Sequence, residues 1–159
     1  MKIGILSDTH DNITNINRAL DWFKDKGISF FIHAGDYIAP FSLRPYFDKG
    51  FDFIGVFGNN DGEKEGLVKI SRGKIFSPPY LFNLCKRDIL IVHDLSQTKS
   101  DTSNISIVIF GHTHKPQIFR KDKTLFVNSG EVCGWLTGRI TIGILDLERI
   151  EAEIIELNF

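Results

Sequence analysis

The sequence predicts an α/β fold that begins with a βαβαβ unit and continues mostly as β-strands. In the first part of the chain, short apolar runs end at turn residues, and a segment with helical periodicity links the first two. From Lys74 onward the apolar runs become shorter and follow one another closely. A chain of 159 residues has the size of one ordinary domain. No linker, block of like charge or repeat divides it, so we expect a single domain over residues 1–159.

The first strand is predicted over Lys2–Leu6, a short run with β-branched residues. Asn12 then opens a helix, which Gly27 ends. Phe30–Ala34 and Phe51–Phe57 are the next two strands, and helical crossovers between them make the three strands parallel. The apolar residues of the first helix recur at helical spacing, at Ile13, Ile16, Leu20 and Phe23.

The second half is predicted to contain eight short strands separated by turn residues. Pro78-Pro79 lies between the first two of them and indicates a turn rather than a domain boundary. The predicted strands are 74–76, 80–84, 88–92, 105–110, 117–120, 124–128, 139–147 and 151–157.

Composition argues against several classes of partner. The formal net charge is −1, and Lys and Arg are spread along the chain, so neither a nucleic-acid groove nor an anionic membrane surface is indicated. The apolar runs have strand length, too short for a membrane span. Because the first strand starts at Lys2, no secretory leader is expected. Cys85 and Cys133 form no CxxC pair and no disulfide is expected, which favours a cytoplasmic location.

Metal-ligand residue types stand where predicted strands end. The carboxyl ends of strands in an open α/β fold share one edge, so we expect these side chains to converge. Imidazole together with carboxylate suits Zn, Mn, Fe, Co or Ni, whereas a magnesium or calcium site would be built from oxygens alone. The candidate ligands are Asp8, His10, Asp36, Asn59, His93, His112 and His114.

These candidate ligands are too many for one tetrahedral site. His112 and His114 are separated by one residue, so in extended backbone their rings would point to opposite sides and suit two adjacent metals. Two ions about 3.5 to 4 Å apart acidify a bridging water and neutralise charge developing at phosphorus. Two divalent cations, two carboxylates and one hydroxide leave about one positive charge, which a phosphodiester anion would balance. A single structural zinc is disfavoured by the ligand number and the lack of Cys ligands.

The order and spacing of these motifs resemble those of the calcineurin-like metallophosphoesterases, whose motifs are DxH, GD, GNH(D/E), H and GHTH. The small single-domain archaeal and bacterial phosphodiesterases are the most similar branch, and the resemblance covers essentially the whole chain. It implies a four-layer α/β sandwich of two mixed β-sheets flanked by helices. The matching motifs are Asp8-Thr9-His10, Gly35-Asp36, Gly58-Asn59-Asn60-Asp61, His93 and Gly111-His112-Thr113-His114.

The resemblance also implies ligand roles. Asp8, His10 and His114 would bind one metal ion, and Asp36 would bridge to the second. Two divalent ions are expected, from Mn, Ni, Co, Fe or Zn, with manganese favoured by the family. The second ion would be bound by Asn59, His93 and His112.

Hydrolysis of a small phosphate ester, most of all a diester, is the activity that the resemblance implies, with a metal-bridging hydroxide as the nucleophile. The oligomeric state is left open, a homo-oligomer included. The alternative is a protein-interaction scaffold with weak or no catalysis on the same fold, as in the retromer trafficking subunit. That scaffold has lost part of the histidine set, whereas this chain retains it.

Asn60 departs from the family pattern. Many members have a His at this position that contacts substrate phosphate, so a direct general acid is missing here. Asp11, Asp61 and Asp94 are candidates for hydrogen bonds that support the ligands. For Asp61 we favour capping of a helix that starts at Gly62, and for Asp11 together with Asn12 the roles of an N-cap and first-turn pair in the first helix.

Other polar residues have ordinary structural roles as their first expectation. His33 lies inside an apolar strand and is expected to be a core histidine bonded to backbone. Arg139 is expected to be exposed at a strand start, with contact to a substrate phosphate as the alternative. Cys85 is expected to be a core thiol, and the role of Cys133 is left open.

Overall fold

The computed structural model describes residues 1–98 and 101–158, so Phe159, the end of the predicted domain, lies outside the described residues. Within the described residues it has three α-helices: α1 (Ile13–Asp25), α2 (Arg44–Asp48) and α3 (Lys64–Ser71). Short 3-10 helices cover Pro40–Leu43 and Leu95–Gln97. The strands are β1 (Lys2–Leu6), β2 (Phe30–His33), β3 (Asp52–Val56), β4 (Ile75–Phe76), β5 (Tyr80–Leu84), β6 (Arg87–Ile91), β7 (Ile107–Phe110), β8 (Gln117–Lys121), β9 (Thr124–Asn128), β10 (Thr141–Asp146) and β11 (Glu151–Glu156).

The strands form two mixed β-sheets. The six-stranded sheet has the order β11-β10-β1-β2-β3-β4, with β1 to β4 parallel and β10 antiparallel to both β1 and β11. The five-stranded sheet has the order β5-β6-β7-β9-β8, in which β6, β7 and β9 are parallel and the two edge strands are antiparallel. The chain passes from the first sheet to the second at Pro78-Pro79, between β4 and β5.

Helix α1 forms where the sequence predicts it because capping and periodicity agree. The Asn12 side chain accepts a hydrogen bond from the Asn15 backbone N–H at 3.2 Å and so caps the amino end. Four apolar residues, Ile16, Ala19, Leu20 and Phe23, are buried on one face. Beyond the carboxyl end, Gly27 has φ of +69°. The chain can therefore leave the helix at once and enter β2.

The hydrophobic core has three layers. All three helices pack on one face of the six-stranded sheet, through residues such as Phe23, Tyr46 and Leu67. A second layer, which includes Ile5 and Ile109, fills the space between the two sheets. The third layer covers the outer face of the five-stranded sheet. Its buried residues are Leu90, Val92, Val108, Phe110 and Phe126, with Leu95 and Ile105 packed against them.

The predicted α/β fold with two mixed sheets is confirmed. The three α-helices cover the outer face of the six-stranded sheet. On the outer face of the five-stranded sheet, residues 92–98 and 101–106 contribute only one helical segment, the 3-10 helix Leu95–Gln97. The prediction for Cys85 is wrong because this thiol is exposed. Cys85 and Lys86 form the two-residue turn between β5 and β6, and both have positive φ, 52° and 64°. A tight hairpin turn of this kind projects its side chains away from the core.

We expect Phe31→Ala to lower the free energy of unfolding by about 3 to 5 kcal/mol, since the ring is fully buried and its loss leaves a cavity. Phe31 stacks on Phe53 at 5.4 Å between ring centroids and meets Tyr46 edge-on at 5.0 Å. Urea denaturation in the presence of a chelator measures the change without a contribution from bound metal. Phe41→Ala is the matched control: Phe41 is 52% exposed, and a loss of about 0.5 kcal/mol or less is expected. Equal losses in the two variants would contradict the assignment of Phe31 to the core.

Candidate metal centre

The predicted ligands all lie on loops that leave the carboxyl ends of parallel strands, in both sheets. Such ends are the usual place for a site in an open α/β sheet, because the loops there meet along one edge. Here the edges of two packed sheets contribute together. In chain order, Asp8 and His10 follow β1, Asp36 follows β2, Asn59 follows β3, His93 follows β6, and His112 and His114 follow β7.

Backbone hydrogen bonds tie these loops to one another around Asp8. The Asp8 N–H donates to the Gly35 carbonyl at 3.0 Å, within the six-stranded sheet. From the other sheet, the His112 N–H donates to Asp8 Oδ2 at 3.1 Å, and the Cys133 N–H donates to the Asp8 carbonyl at 3.1 Å. The relative positions of the two sheets at this edge are therefore fixed by the same residue that points a carboxylate into the site.

Four side chains form a first group, which we call the Asp8 group: Asp8, His10, Asp36 and His114. One ligand atom from each lies within 4.8 Å of all the others. His10 Nε2 is 3.4 Å from Asp36 Oδ2, and His114 Nε2 is 3.5 Å from Asp8 Oδ1. Asp8 Oδ1 and His10 Nε2 are buried and have no hydrogen-bond partner. Because a buried carboxylate oxygen without a donor is costly, these residues fit a divalent cation.

A second group, the Asn59 group, consists of Asn59, His93 and His112. Asn59 Oδ1 lies 2.9 Å from His93 Nε2 and 2.9 Å from His112 Nδ1. His93 Nε2 is also 3.5 Å from Asp36 Oδ2. Two imidazole nitrogens thus lie within hydrogen-bond distance of one amide oxygen, and one of them is also near Asp36. These donors also suit a borderline divalent metal.

Asp36 lies between the two groups and contacts both. Burial raises its pKa, but the nearby imidazoles of His10 and His93 outweigh burial and hold the pKa well below 3.8. Asn60 adds to this, because its backbone N–H donates to Oδ1 at 2.9 Å and its side-chain amide donates to Oδ2 at 2.8 Å. The neighbouring carboxylates of Asp36 and Asp8 raise the pKa of His10 from 6.5 to about 9. The centre of the site therefore favours positive charge.

Two of the histidines are oriented by hydrogen bonds on the side away from the site. His93 Nδ1 lies 2.7 Å from the Ala34 carbonyl, which places the ring proton on Nδ1 and leaves Nε2 facing the site. His114 Nδ1 lies 2.7 Å from Glu131 Oε2, with the same consequence for its Nε2. Each ring is thus presented with a lone pair toward the carboxylates.

The sequence prediction missed Glu131, which is fully buried at the end of β9. In addition to His114, its carboxylate accepts hydrogen bonds from Cys133 Sγ, the Leu136 N–H, and the N–H and hydroxyl of Thr137. Burial raises its pKa, but bonds from Thr137 and His114 outweigh burial and lower the pKa from 4.5 to about 2. Glu131 follows a parallel strand as the predicted ligands do. A search for acidic residues just after predicted strands could therefore have found it.

Asp61 corrects another expectation. Helix α3 starts at Lys64, and its N-cap residue, Glu63, makes no side-chain capping hydrogen bond. The Asp61 carboxylate instead accepts three backbone N–H groups, from Gly58 at 2.7 Å, Ile38 at 2.8 Å and Asp36 at 3.1 Å. Asp61 therefore joins the loop after β2 to the loop after β3. The capping prediction failed because these unpaired amides lie closer to Asp61 than the helix does.

The other two acidic candidates lie at the margin of the site. Asp94 Oδ2 is 3.6 Å from His112 Nε2, and Asp94 also caps the 3-10 helix by accepting from the Ser96 N–H at 2.9 Å. Asp11 accepts from the Ala39 N–H at 3.0 Å and stands directly before Asn12, the N-cap of α1. Asp94 is therefore beside a candidate ligand, whereas Asp11 positions the loop after β2.

Three further expectations have structural outcomes. His33 is fully buried, accepts from the Gly35 N–H at Nδ1 and stacks on Tyr37, as expected of a core histidine. Burial lowers the pKa of His33 well below 6.5. Arg139 is exposed and pairs with Glu156 of β11. Cys133 is buried and has a sulfur atom within 4.8 Å of ligand nitrogens of His10 and His114.

The backbone at the ligand positions is unusual. His112 and His114 have φ of 68° and 59°, so the chain turns there and the expectation of extended backbone is wrong. Their rings nevertheless reach different groups, because the turn directs His112 toward Asn59 and His114 toward Asp8. Left-handed backbone is uncommon for residues other than glycine, and it concentrates at functional sites. The same region of φ is occupied by Asp8, His10 and Asp36.

Two glycines allow the loops to approach one another. A Cβ atom at Gly58 would lie 2.0 Å from Asp36 Oδ1, and one at Gly111 would lie 1.9 Å from Ser7 Oγ. Neither contact is possible without movement of the site. The glycines before Asn59 and His112 are therefore required by the close packing of the loops, since neither has a positive φ that would call for glycine.

Comparison with protein families gives one matching family model, the calcineurin-like phosphoesterase superfamily domain, over residues 1–149. Phosphodiesterase MJ0936 of Methanocaldococcus jannaschii is 38% identical over 166 residues, which cover 99% of this chain and 100% of that protein. Among the helices of the described residues, none has the length and apolar character needed to cross a membrane.

Solved structures show the same fold. One, of an archaeal phosphodiesterase, aligns with a TM-score of 0.88 at 36% identity and covers 99% of this chain and 100% of that chain. Vacuolar protein sorting 29 of Cryptosporidium parvum aligns with a TM-score of 0.66 at 16% identity, covering 99% of this chain and 97% of that one. At that identity the second likeness concerns the fold alone.

We expect Glu131→Gln to weaken binding of a divalent ion at the Asp8 group by about 10- to 100-fold. The amide keeps the size of the side chain, but it removes the charge beside His114 and turns an NH₂ group toward donors. Calorimetric titration of metal-free protein with Mn²⁺ measures the affinity. Thermal unfolding in chelator, recorded for both proteins, separates this loss from a loss of folding.

Glu153→Gln is the matched control, since Glu153 lies exposed on β11. Its Mn²⁺ affinity is expected to equal that of the wild type. Equal affinity of the Glu131 variant and the wild type would show that Glu131 does not position His114 for a metal.

Proposed function

The chain belongs to the calcineurin-like phosphoesterase superfamily and is a phosphoesterase, and on that basis we propose that it hydrolyses small phosphodiesters at a centre of two divalent metal ions. The observation that carries the proposal is the position of Asp36, whose carboxylate contacts a histidine of each group. The unpaired, buried Asp8 Oδ1 supports a cation on the same side. One carboxylate shared by two groups of donors is the arrangement that a two-metal site needs.

We assign the residues to the two ions by group. Asp8, His10 and His114 would hold the first ion, and Asp36 would be shared. When bound, the ions would supply a hydroxide nucleophile and positive charge to balance the phosphoryl oxygens. The chain itself fixes the donors: the Ala34 carbonyl orients His93, and Glu131 orients His114. The second ion would be held by Asn59, His93 and His112.

The charge of the cleft favours a diester over a monoester. Eight residues line the open cleft beside the Asp8 group, and none of them is Lys or Arg. A monoester dianion carries more charge than the single positive charge that the two ions, two carboxylates and a hydroxide leave uncompensated. A diester carries one negative charge and balances it. The curated relative of M. jannaschii is likewise named a phosphodiesterase.

Asn60 sets a limit on the leaving group. Its side-chain amide cannot transfer a proton as a general acid at neutral pH. The NH₂ group instead donates a hydrogen bond to Asp36 Oδ2. A leaving oxygen must then be protonated by water or leave as a stable anion. We therefore propose that diesters with good leaving groups are the substrates that this centre cleaves fastest.

A protein-interaction scaffold is the alternative that the sequence leaves open. The chain has the full histidine set of the motifs, and one histidine of each group contacts the Asp36 carboxylate, an arrangement that binding a protein partner does not require. Metal content distinguishes the two functions. Mass spectrometry of the purified protein should find about two metal ions per chain if the protein is an enzyme. The same measurement identifies the metal, for which manganese is favoured.

The test of the proposed function is a screen of metal-free protein with Mn²⁺, Ni²⁺, Co²⁺, Zn²⁺ and Mg²⁺ against nitrophenyl diesters, nitrophenyl monoesters and cyclic nucleotides. We expect diester hydrolysis that depends on added metal. Asp36→Asn should abolish this activity and lower the occupancy of both ions, because an amide brings no charge to the shared position.

Asp25→Asn on the exposed end of α1 is the control and should keep full activity. The proposed function would be rejected if no metal supported diester hydrolysis. Retention of two ions and full rate by the Asp36 variant would reject the shared carboxylate while leaving the family assignment intact.

Asn60→His should raise kcat/KM for diesters with alkoxide leaving groups more than for nitrophenyl diesters. An imidazole can protonate a departing alkoxide, and general acid catalysis contributes about 10²- to 10⁴-fold, whereas a nitrophenolate needs little help. The measurement is kcat/KM for both substrates in both proteins. Metal content is checked in each preparation, because the substitution also removes a hydrogen bond to Asp36.

A gain of the same size on both substrates would show that the missing proton is not the cause of slow alkyl ester cleavage. Absence of any dependence on leaving-group pKa in the wild type would place the general acid elsewhere in the site.

A further inference from the structure

An apolar surface adjoins the candidate metal centre. The cleft that contains His10 and His114 has a volume of about 530 Å³, and its other side is lined by Ile38, Trp135 and Leu136. This volume is in the usual range for a small-molecule site. One cleft therefore joins metal-ligand residues to an apolar wall.

The wall is the most exposed apolar surface of the described residues. The exposed fraction is 68% for Trp135 and 74% for Leu136, the two highest values among large hydrophobic residues there. Exposed apolar surface costs free energy unless a ligand or partner covers it. Its position beside the Asp8 group points to a ligand that also has a group for the metals.

The loop that carries the wall is held in place from within. Glu131 accepts hydrogen bonds from the N–H groups of Leu136 and Thr137, at 3.2 and 2.6 Å. The Cys133 carbonyl accepts from the side chains of Asn12 and Asn15, both at 3.0 Å. The indole is thus presented on a fixed backbone, and little conformational entropy is lost when a ligand binds to it.

We infer that the surface formed by Ile38, Trp135 and Leu136 binds an aromatic group of the substrate, so that the enzyme acts on phosphodiesters that carry an aryl group or a nucleobase. The phosphate would lie toward His10 and His114, and the ring would stack on the Trp135 indole. Apart from the histidines, Asp11 is the one charged side chain among the residues that line the cleft. A lining with so little charge suits an uncharged ring. This inference rests on the proposed function for the identity of the reaction, but not for the binding itself.

The test uses phosphonates, whose carbon–phosphorus bond is not hydrolysed, as probes of binding to the metal-loaded protein. Every probe is used as its monomethyl ester, which carries one negative charge as a diester does and has a poor leaving group, and calorimetry compares the phenylphosphonate ester with the methylphosphonate ester. We expect the wild type to bind phenylphosphonate about tenfold more tightly, in line with the lower part of the range for stacking on aromatic side chains. Trp135→Ala should reduce this ratio to about one.

Ile118→Ala is the control, because Ile118 is an exposed apolar residue on β8 and lies outside the cleft. It should keep the tenfold ratio. A nucleoside phosphonate is the third probe: tighter binding of this probe than of phenylphosphonate assigns the wall to a nucleobase, and weaker binding assigns it to an aryl ester. Cyclohexylphosphonate, which is apolar but not planar, should bind less tightly than phenylphosphonate.

The inference is overturned if the phenyl and methyl probes bind equally or fail to bind, or if the preference survives in Trp135→Ala. Sedimentation velocity adds one further outcome. Self-association that Trp135→Ala abolishes, together with equal affinities for the probes, would assign the wall to a second copy of the chain instead. Failure of the wild type to hydrolyse diesters would reject the proposed function, while the phosphonate preference, measured without turnover, would still decide the role of the wall.

Discussion

Two carboxylates, Asp8 and Asp36, are held in the interior at the edge where the two sheets meet, and the surrounding loops are arranged to make this possible. Both side chains are almost fully inaccessible to solvent. A buried charge must be compensated by hydrogen bonds or cations, and histidines, backbone amides and Asn60 provide part of that compensation. The rest is missing at Asp8 Oδ1, and a divalent cation is the group whose charge and coordination chemistry would supply it.

The loops achieve this at a conformational cost. Left-handed backbone at Asp8, His10, Asp36, His112 and His114 costs of order 1 kcal/mol or more per residue, because the side chain crowds the following carbonyl. Packing of the parallel strands offsets that cost on the core side of the loops. On the other side, the Asp61 carboxylate offsets it by accepting hydrogen bonds from three loop amides. The geometry of the site is therefore held by the hydrogen bonds and packing of the fold itself, as expected for a preorganised centre.

The sequence predicts the strands and the first helix better than it predicts the contacts between the loops of the site. Strands β1, β2, β3, β7 and β9 and helix α1 were predictable because apolar periodicity and turn residues agree in those segments. The grouping of residues distant in sequence, such as Asp8 and His114, followed from strand ends and from motif resemblance. Local patterns could not reveal that Asp61 bonds the loop after β2 instead of capping α3, or that His112 and His114 sit in a turn. Those outcomes are decided by which unpaired groups tertiary packing brings near.

Glu131 shows how the metal centre and the apolar wall depend on one another. The same carboxylate orients His114 on one side and holds the backbone of Leu136 and Thr137 on the other, so its two oxygens link a candidate ligand to the loop that carries Trp135. A shift of the loop would disturb hydrogen bonds to the same carboxylate that positions the His114 imidazole. The candidate metal ligands and the apolar wall are in this way tied to one buried residue through a shared set of hydrogen bonds. Because Glu131 touches the cleft only through its neighbours, it can couple the two surfaces without occupying the space that a substrate needs.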